Sequence, residues 1–167
     1  MADRRSGDNQ IIRVLAFHLV RRRIARGKGT AVMNLNDSSA LGRSRVIAFV
    51  STREPGRAKS FYAEKLGLRF VSEDPFAVVF DAGGTMLRVS IVPRMTPADH
   101  TVLGWDVADI EAAVVDLTAR GIQFERYDAL AQDGRGIWAS PHGNRVAWFK
   151  DPDGNLLSLT QFAEKQS

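Results

Sequence analysis

Catalytic chemistry is sparsely supplied in this sequence. It holds no Cys and only three His, namely His18, His100 and His142. Thiolate ligation, disulfides and a Cys nucleophile are therefore excluded, and a metal site has to draw mainly on carboxylates. No Ser, His and acid stand at the spacing of a catalytic triad, and no Gly-rich phosphate loop is present. The carboxylates Glu54, Asp106, Asp109 and Glu111 have simpler roles as helix caps or solvated helix residues. Recognition is better supplied than catalysis. Trp138 and Trp148 lie on adjacent predicted strands, where they either stack on a planar ligand or fill a core or a dimer interface. His100 and His142 read as structural or exposed residues.

The elements that must position these residues repeat. One segment runs VIAFVSTRE from Val46 to Glu54, then a helix, then LGLRF from Leu66 to Phe70. A second runs TVLGWDVAD from Thr101 to Asp109, then a helix, then RGIQF from Arg120 to Phe124. The offset between them is 55 residues before the helices and 54 after, so the first helix holds one extra residue. Such self-similarity predicts a duplicated supersecondary unit. Glu54 with Pro55, and Asp109, stand at the predicted helix starts. Phe61, Tyr62 and Leu66 supply one apolar stripe, and Ile110, Val114 and Leu117 the other. Gly67 and Gly121 close the two helices.

After the first helix, strands are predicted at Leu68–Val71, Ala77–Phe80 and Met86–Val92, with Gly83-Gly84 as a turn. After the second they are predicted at Gln123–Arg126, Gly136–Ser140, Arg145–Lys150 and Leu156–Gln161. The last two flank DPDGN at positions 151–155, whose Asp, Pro and Gly are turn residues.

The repeat, the helix segment RAKSFY at 57–62 with its Leu-Gly exit, and the DPDGN turn together resemble the glyoxalase/bleomycin resistance/dioxygenase family, the vicinal oxygen chelate superfamily. The resemblance spans about residues 45–162. It implies an α+β fold in which two βαβββ units form an eight-stranded, open barrel-like sheet around a cleft. Residues 1–44 are then a basic N-terminal extension and 163–167 a C-terminal tail.

Members of that family that hold a divalent metal take ligands from the first and last strand of each unit. The resemblance carries those positions, by distance from Phe61, Gly84 and Gly154, onto Ile47, Val102, Arg88 and Ser158. None of the four is a suitable donor for zinc, nickel, iron or magnesium, and Arg88 would repel a cation. We therefore expect no metal and no cofactor. Strand alternation places Phe49 and Ser51 with Ile47, Met86 and Ser90 with Arg88, and Leu156 and Thr160 with Ser158. The expected ligand-binding residues are Ile47, Phe49, Arg88, Ser90, Val102, Trp138, Trp148 and Ser158. Their makeup, apolar walls with a few polar groups, is that of a small-molecule site. Arg88 either holds a carboxylate or phosphate, or faces solvent or an acid such as Asp106. Trp105 is expected to pack under the second helix.

Charge is unevenly distributed. Residues 1–32 carry eight basic and two acidic residues, whereas the rest carries fifteen and seventeen. The domain is thus near neutral, which argues against a nucleic-acid partner. No apolar run reaches the roughly 18 residues that span a bilayer. The stretch 11–26 holds five Arg and no acid. It reads as an extension ahead of an alternative start at Met33, as a packing arm, or as a targeting or membrane-surface helix. The sequence leads us to expect a cytoplasmic homodimer that binds a small, partly apolar, anionic molecule and sequesters an antibiotic or metabolite. The alternative is a lyase, isomerase or dioxygenase of the same superfamily that uses other residues.

Overall fold

The computed structural model describes residues 39–163. The arm at 11–26, His18, the Met33 start and the end of the tail lie outside the described residues. A short 3-10 turn, Leu41–Arg43, leads into the first unit. That unit is β1 (Ile47–Thr52), α1 (Pro55–Ser60), β2 (Arg69–Asp74), β3 (Ala77–Ala82) and β4 (Thr85–Ile91). The second is β5 (Leu103–Asp106), α2 (Ile110–Ala119), β6 (Trp138–Ala139), β7 (Arg145–Lys150) and β8 (Leu156–Gln161). No helix among them is long and apolar enough to cross a membrane.

Each unit forms its own four-stranded sheet, ordered β1-β4-β3-β2 and β5-β8-β7-β6. The outer pairs β1/β4 and β5/β8 are parallel. The identical order bears out the duplication. The eight strands do not close into a barrel, because β1 and β5 each end a sheet instead of pairing with each other.

The extra residue of the first helix has a visible fate. After Ser60 the chain widens into one π-helical turn, Phe61–Lys65, in which the Leu66 N–H donates to Phe61 O at 3.0 Å. A π turn absorbs one residue without breaking the helix. Both Phe61 and Tyr62 are buried there. In α2 the stripe of Ile110, Val114 and Leu117 is buried as its spacing predicts, and Asp109 Oδ1 accepts from the Ala112 N–H at 3.0 Å. Glu54 makes no such bond, and Pro55 alone marks that helix start. Gly67 (φ 70°) and Gly121 (φ 81°) take the left-handed angles that end both helices.

The second strand of each unit departs from its expected bounds. In β2 the strand runs on to Asp74, and its register slips between Phe70 and Ser72. Val71 is thus the extra residue of a β-bulge, which reverses the alternation that follows. In the second unit Phe124 bridges Phe149 as Phe70 pairs with Phe80, but the strand then stops. The Glu125 N–H still donates to Trp148 O on β7 at 2.7 Å, but the chain then leaves the sheet and returns to β7 only at Trp138. This excursion replaces the strand expected at Gln123–Arg126.

One hydrophobic cluster joins the helix-covered faces of both units, from Val50, Phe61, Tyr62, Phe80 and Leu87 to Ile110, Leu117, Phe149 and Leu157. Trp105 packs against it, stacked 6.3 Å from Phe149. Beside this core a polar seam crosses between the units. The Tyr62 hydroxyl donates to Asp151 Oδ2 at 2.9 Å, the Thr52 hydroxyl donates to Asp153, and Asn155 Nδ2 donates to Ser51 O at 2.9 Å.

Burial, and then the Asp151 charge beside it, push the Tyr62 phenol well above the ordinary range. The neutral phenol therefore contributes stability below an unfolded tyrosine's pKa of about 10 and loses it as pH rises beyond that value. Tyr62→Phe should lower stability at neutral pH by about 1.5–3 kcal/mol, the range for a hydrogen bond to a charged group. It should also flatten the alkaline fall in stability. Urea unfolding across pH checks both, and an alkaline slope as steep in the variant as in the parent would remove Tyr62 from this role.

Candidate functional site

Four of the eight expected ligand-binding residues share the open face of the first sheet. Ile47 is in register with Met86, Phe49 with Arg88, and Ser51 with Ser90. The alternate residues Val50 and Thr52 are buried, whereas Ile47 is 45% and Phe49 60% exposed. No helix covers this side, so an aromatic ring and a guanidinium stand next to each other on an accessible surface.

The acid beside Arg88 is Asp74, not Asp106. Its Oδ2 lies 3.7 Å from Arg88 Nη2, too far for a hydrogen bond. The bulge at Val71 produces this neighbour. It turns Asp74 to the open face, and Glu73 to the helix side, where Lys59 reaches it at 2.8 Å. The backbone N–H groups of Phe76, then of Ala77, hold the Asp74 carboxyl below its usual range, with Arg88 adding to the effect. Asp81 is likewise lowered, first by Arg69 at 2.8 Å and then by the Gly84 N–H.

At the start of β1 this face deepens into an open depression of about 450 Å³. Ile47, Val71, Val79 and Met86 line it, with Arg45, Arg69 and Asp81 as its charged residues. Sequence reasoning missed Arg45, Arg69, Val71 and Asp74 as parts of the site. The bulge that brings in Val71 and Asp74 has no local signal in RFVSED.

The other four expected residues lie in the second sheet, in equivalent register. The Val102 N–H donates to Leu156 O at 2.9 Å, Ser158 pairs with Gly104, and Trp148 pairs with Ser158. Val102 is partly open, but Ser158 is buried; a Cβ on Gly104 would lie 2.7 Å from Ser158 Oγ. Trp148 is fully buried in a satellite cluster with Val146 and Leu156, under Tyr127, Leu130 and Trp138. Tyr127 meets it edge-on at 5.6 Å, and Trp138 lies 6.2 Å away. Trp148 thus takes the packed role that its sequence also allowed. The excursion at 125–137 supplies the cover. Gln132 braces it by accepting from the Tyr127 N–H and donating to Glu125 O and Gly136 O, and Arg135 reaches Glu111 on α2 at 2.7 Å. The depression on the first sheet holds Ile47 and none of the residues from the second.

The chain belongs to the Glyoxalase/Bleomycin resistance protein/Dioxygenase superfamily, whose model matches residues 46–159. Solved structures share the fold. The bleomycin resistance determinant encoded on transposon Tn5 is 22% identical, with a TM-score of 0.58 over 72% of this chain and 99% of that one. A glyoxalase family protein from Bacillus anthracis is 16% identical, with a TM-score of 0.58 over 72% and 96%. A lactoylglutathione lyase from Agrobacterium tumefaciens is 20% identical, with a TM-score of 0.53 over 71% and 93%. At these identities the likeness concerns the fold. No curated protein matches the chain.

The divalent metal that the family resemblance implies finds no fitting donors at the four positions expected to hold it. The structure puts Ile47 and Arg88 diagonally on adjacent strands, and Val102 and Ser158 likewise, so both sets of positions are formed. Their side chains are two hydrocarbons, a cation and a hydroxyl. Among the described residues no three His, Cys, Asp or Glu side chains gather to hold a metal ion. His100 lies beside Asp99 at the surface, and His142 is exposed in a turn. Protein purified without chelator should therefore contain far less than one equivalent of zinc, nickel or iron by elemental analysis. A stoichiometric, tightly held metal would overturn this.

Proposed function

We propose that this protein binds a small, partly apolar anion on the open face of its first sheet, and sequesters it rather than transforming it. The observation that carries this reading is the pairing of Phe49 with Arg88. A ring offers area for an apolar body, and a planar guanidinium offers a two-pronged grip on a carboxylate or phosphate. Asp74, at 3.7 Å, leaves the donors of Arg88 largely unspent. The depression beside them falls in the usual size range of ligand pockets, roughly 300–1,000 Å³.

The reading includes a symmetric homodimer. β1 and β5 are edge strands whose outer sides pair with no other strand among the described residues. Unpaired edges favour association, and a twofold pairing covers the same edge on both copies. In such a pair the two kinds of sheet combine into the eight-stranded cleft of the family, with Val102 and Trp138 near its second wall. Light scattering at tens of micromolar should give twice the chain mass; a monomer at that concentration would count against the dimer.

A thermal-shift screen of aromatic carboxylates and sulfonates, with their neutral amides, tests the ligand class, because a ligand selective for the folded state raises its stability. Arg88→Ala should weaken an anionic hit by about 1.5–3 kcal/mol and leave its amide nearly unchanged. Equal losses for both would refute Arg88 as the anchor.

A further inference from the structure

We propose that the ligand is an elongated dianion, gripped at one end by Arg88 and at the other by Arg45, with its apolar middle on Ile47, Val79 and Met86. This rests on the small-molecule reading above and specifies its ligand class.

Three arginines stand on or beside the open face, and they differ in how far their charge is spent. Arg69 donates to Asp81 Oδ2 at 2.8 Å, and the other oxygen of Asp81 accepts from the Gly84 N–H at 2.7 Å. Asp81 thus already serves Arg69 and the Gly84 N–H, and no ion pair joins it to Arg45. Arg45 lines the depression, is exposed, and makes no hydrogen bond or ion pair with another described residue. Arg88 has only its distant neighbour Asp74. Two under-used guanidinium groups thus remain among the described residues on this face, with Ile47, Val79 and Met86 between them beside the Arg69–Asp81 ion pair.

Their separation sets the ligand's length. Arg45 lines the same depression as Ile47, two residues before β1 begins, and stands four residues before Phe49, the register partner of Arg88. At about 3.3 Å per extended residue, four residues span at most about 13 Å. Two flexible arginine side chains leaning inward shorten that gap to the length of a fused two-ring body with an acid at each end. A monoanion satisfies one guanidinium and leaves the other facing apolar surface. A dianion satisfies both, and each contact is charge-assisted.

The test uses the full-length protein and three probes at one fixed ionic strength: naphthalene-2,6-dicarboxylate, 2-naphthoate and 2-naphthamide. Isothermal titration calorimetry should show the diacid binding roughly tenfold or more tighter than the monoacid, the order that one charge-assisted contact supplies. Arg45→Gln and Arg88→Gln should each reduce the diacid to about the monoacid's affinity. Arg57→Gln, which removes the same charge from an exposed helix position away from this face, should change neither. Equal affinities of diacid and monoacid, or an advantage that survives Arg45→Gln, would overturn the dianion while leaving small-molecule binding intact. Failure of all three probes would also overturn it. The broader reading falls only if the thermal-shift screen as well yields no ligand that Arg88→Ala weakens.

Discussion

The fold depends on how two carboxylates of one turn are satisfied. Asp151 is buried, and a buried charge is tolerated only when hydrogen bonds replace its water. It accepts from the Tyr62 hydroxyl, the Asp153 N–H, and both the backbone N–H and side-chain amide of Asn155. Asp153 accepts from the Thr52 hydroxyl and the Arg53 N–H. Half of these bonds lie within the turn and half reach the other unit. The DPDGN segment therefore does more than reverse the chain. It ties the last hairpin to β1 and to the π-helical turn, about a hundred residues earlier. No buried side-chain polar atom among the described residues lacks a partner.

That seam directs each sheet. With the helix-covered sides of both units joined in one core, the opposite sides must face elsewhere. The first is left open, with Phe49 and Arg88 upon it. The second is closed by the chain's own excursion at 125–137, which buries Trp148 beneath Tyr127 and Trp138. Two units of one ancestry of pattern thus diverge in use. The first keeps an open, partly apolar face, while the second spends its aromatic residues on packing. The divergence arises at equivalent points, since Phe70 and Phe124 hold matching register and only the continuation differs.

Much of this was legible in the residues. The offset of 55 and then 54 residues foretold the extra helical residue, although not its form as a π turn. The stripe of Ile110, Val114 and Leu117, the glycine exits and the final hairpin follow from periods and turn chemistry that act over a few residues. The mismatch of Ile47, Arg88, Val102 and Ser158 with metal chemistry was equally readable, because it is a matter of side-chain type at fixed distances from landmarks. The bulge at Val71 was not. A one-residue slip reverses every later side chain, and it is chosen by the fit of β2 against β3 and α1, not by the strand's own sequence.

The sequence by itself determined the repeated units, their helices and turns, and the residue types at Ile47, Arg88, Val102 and Ser158, since each is written in local spacing and residue type. Only the tertiary structure decided that Asp74 faces Arg88, that Trp148 is sealed while Phe49 stays open, and that Arg45 finds no partner among the described residues. Those outcomes depend on groups distant in the chain competing for the same neighbours, and burial and charge compensation settle that competition only once the units have packed together.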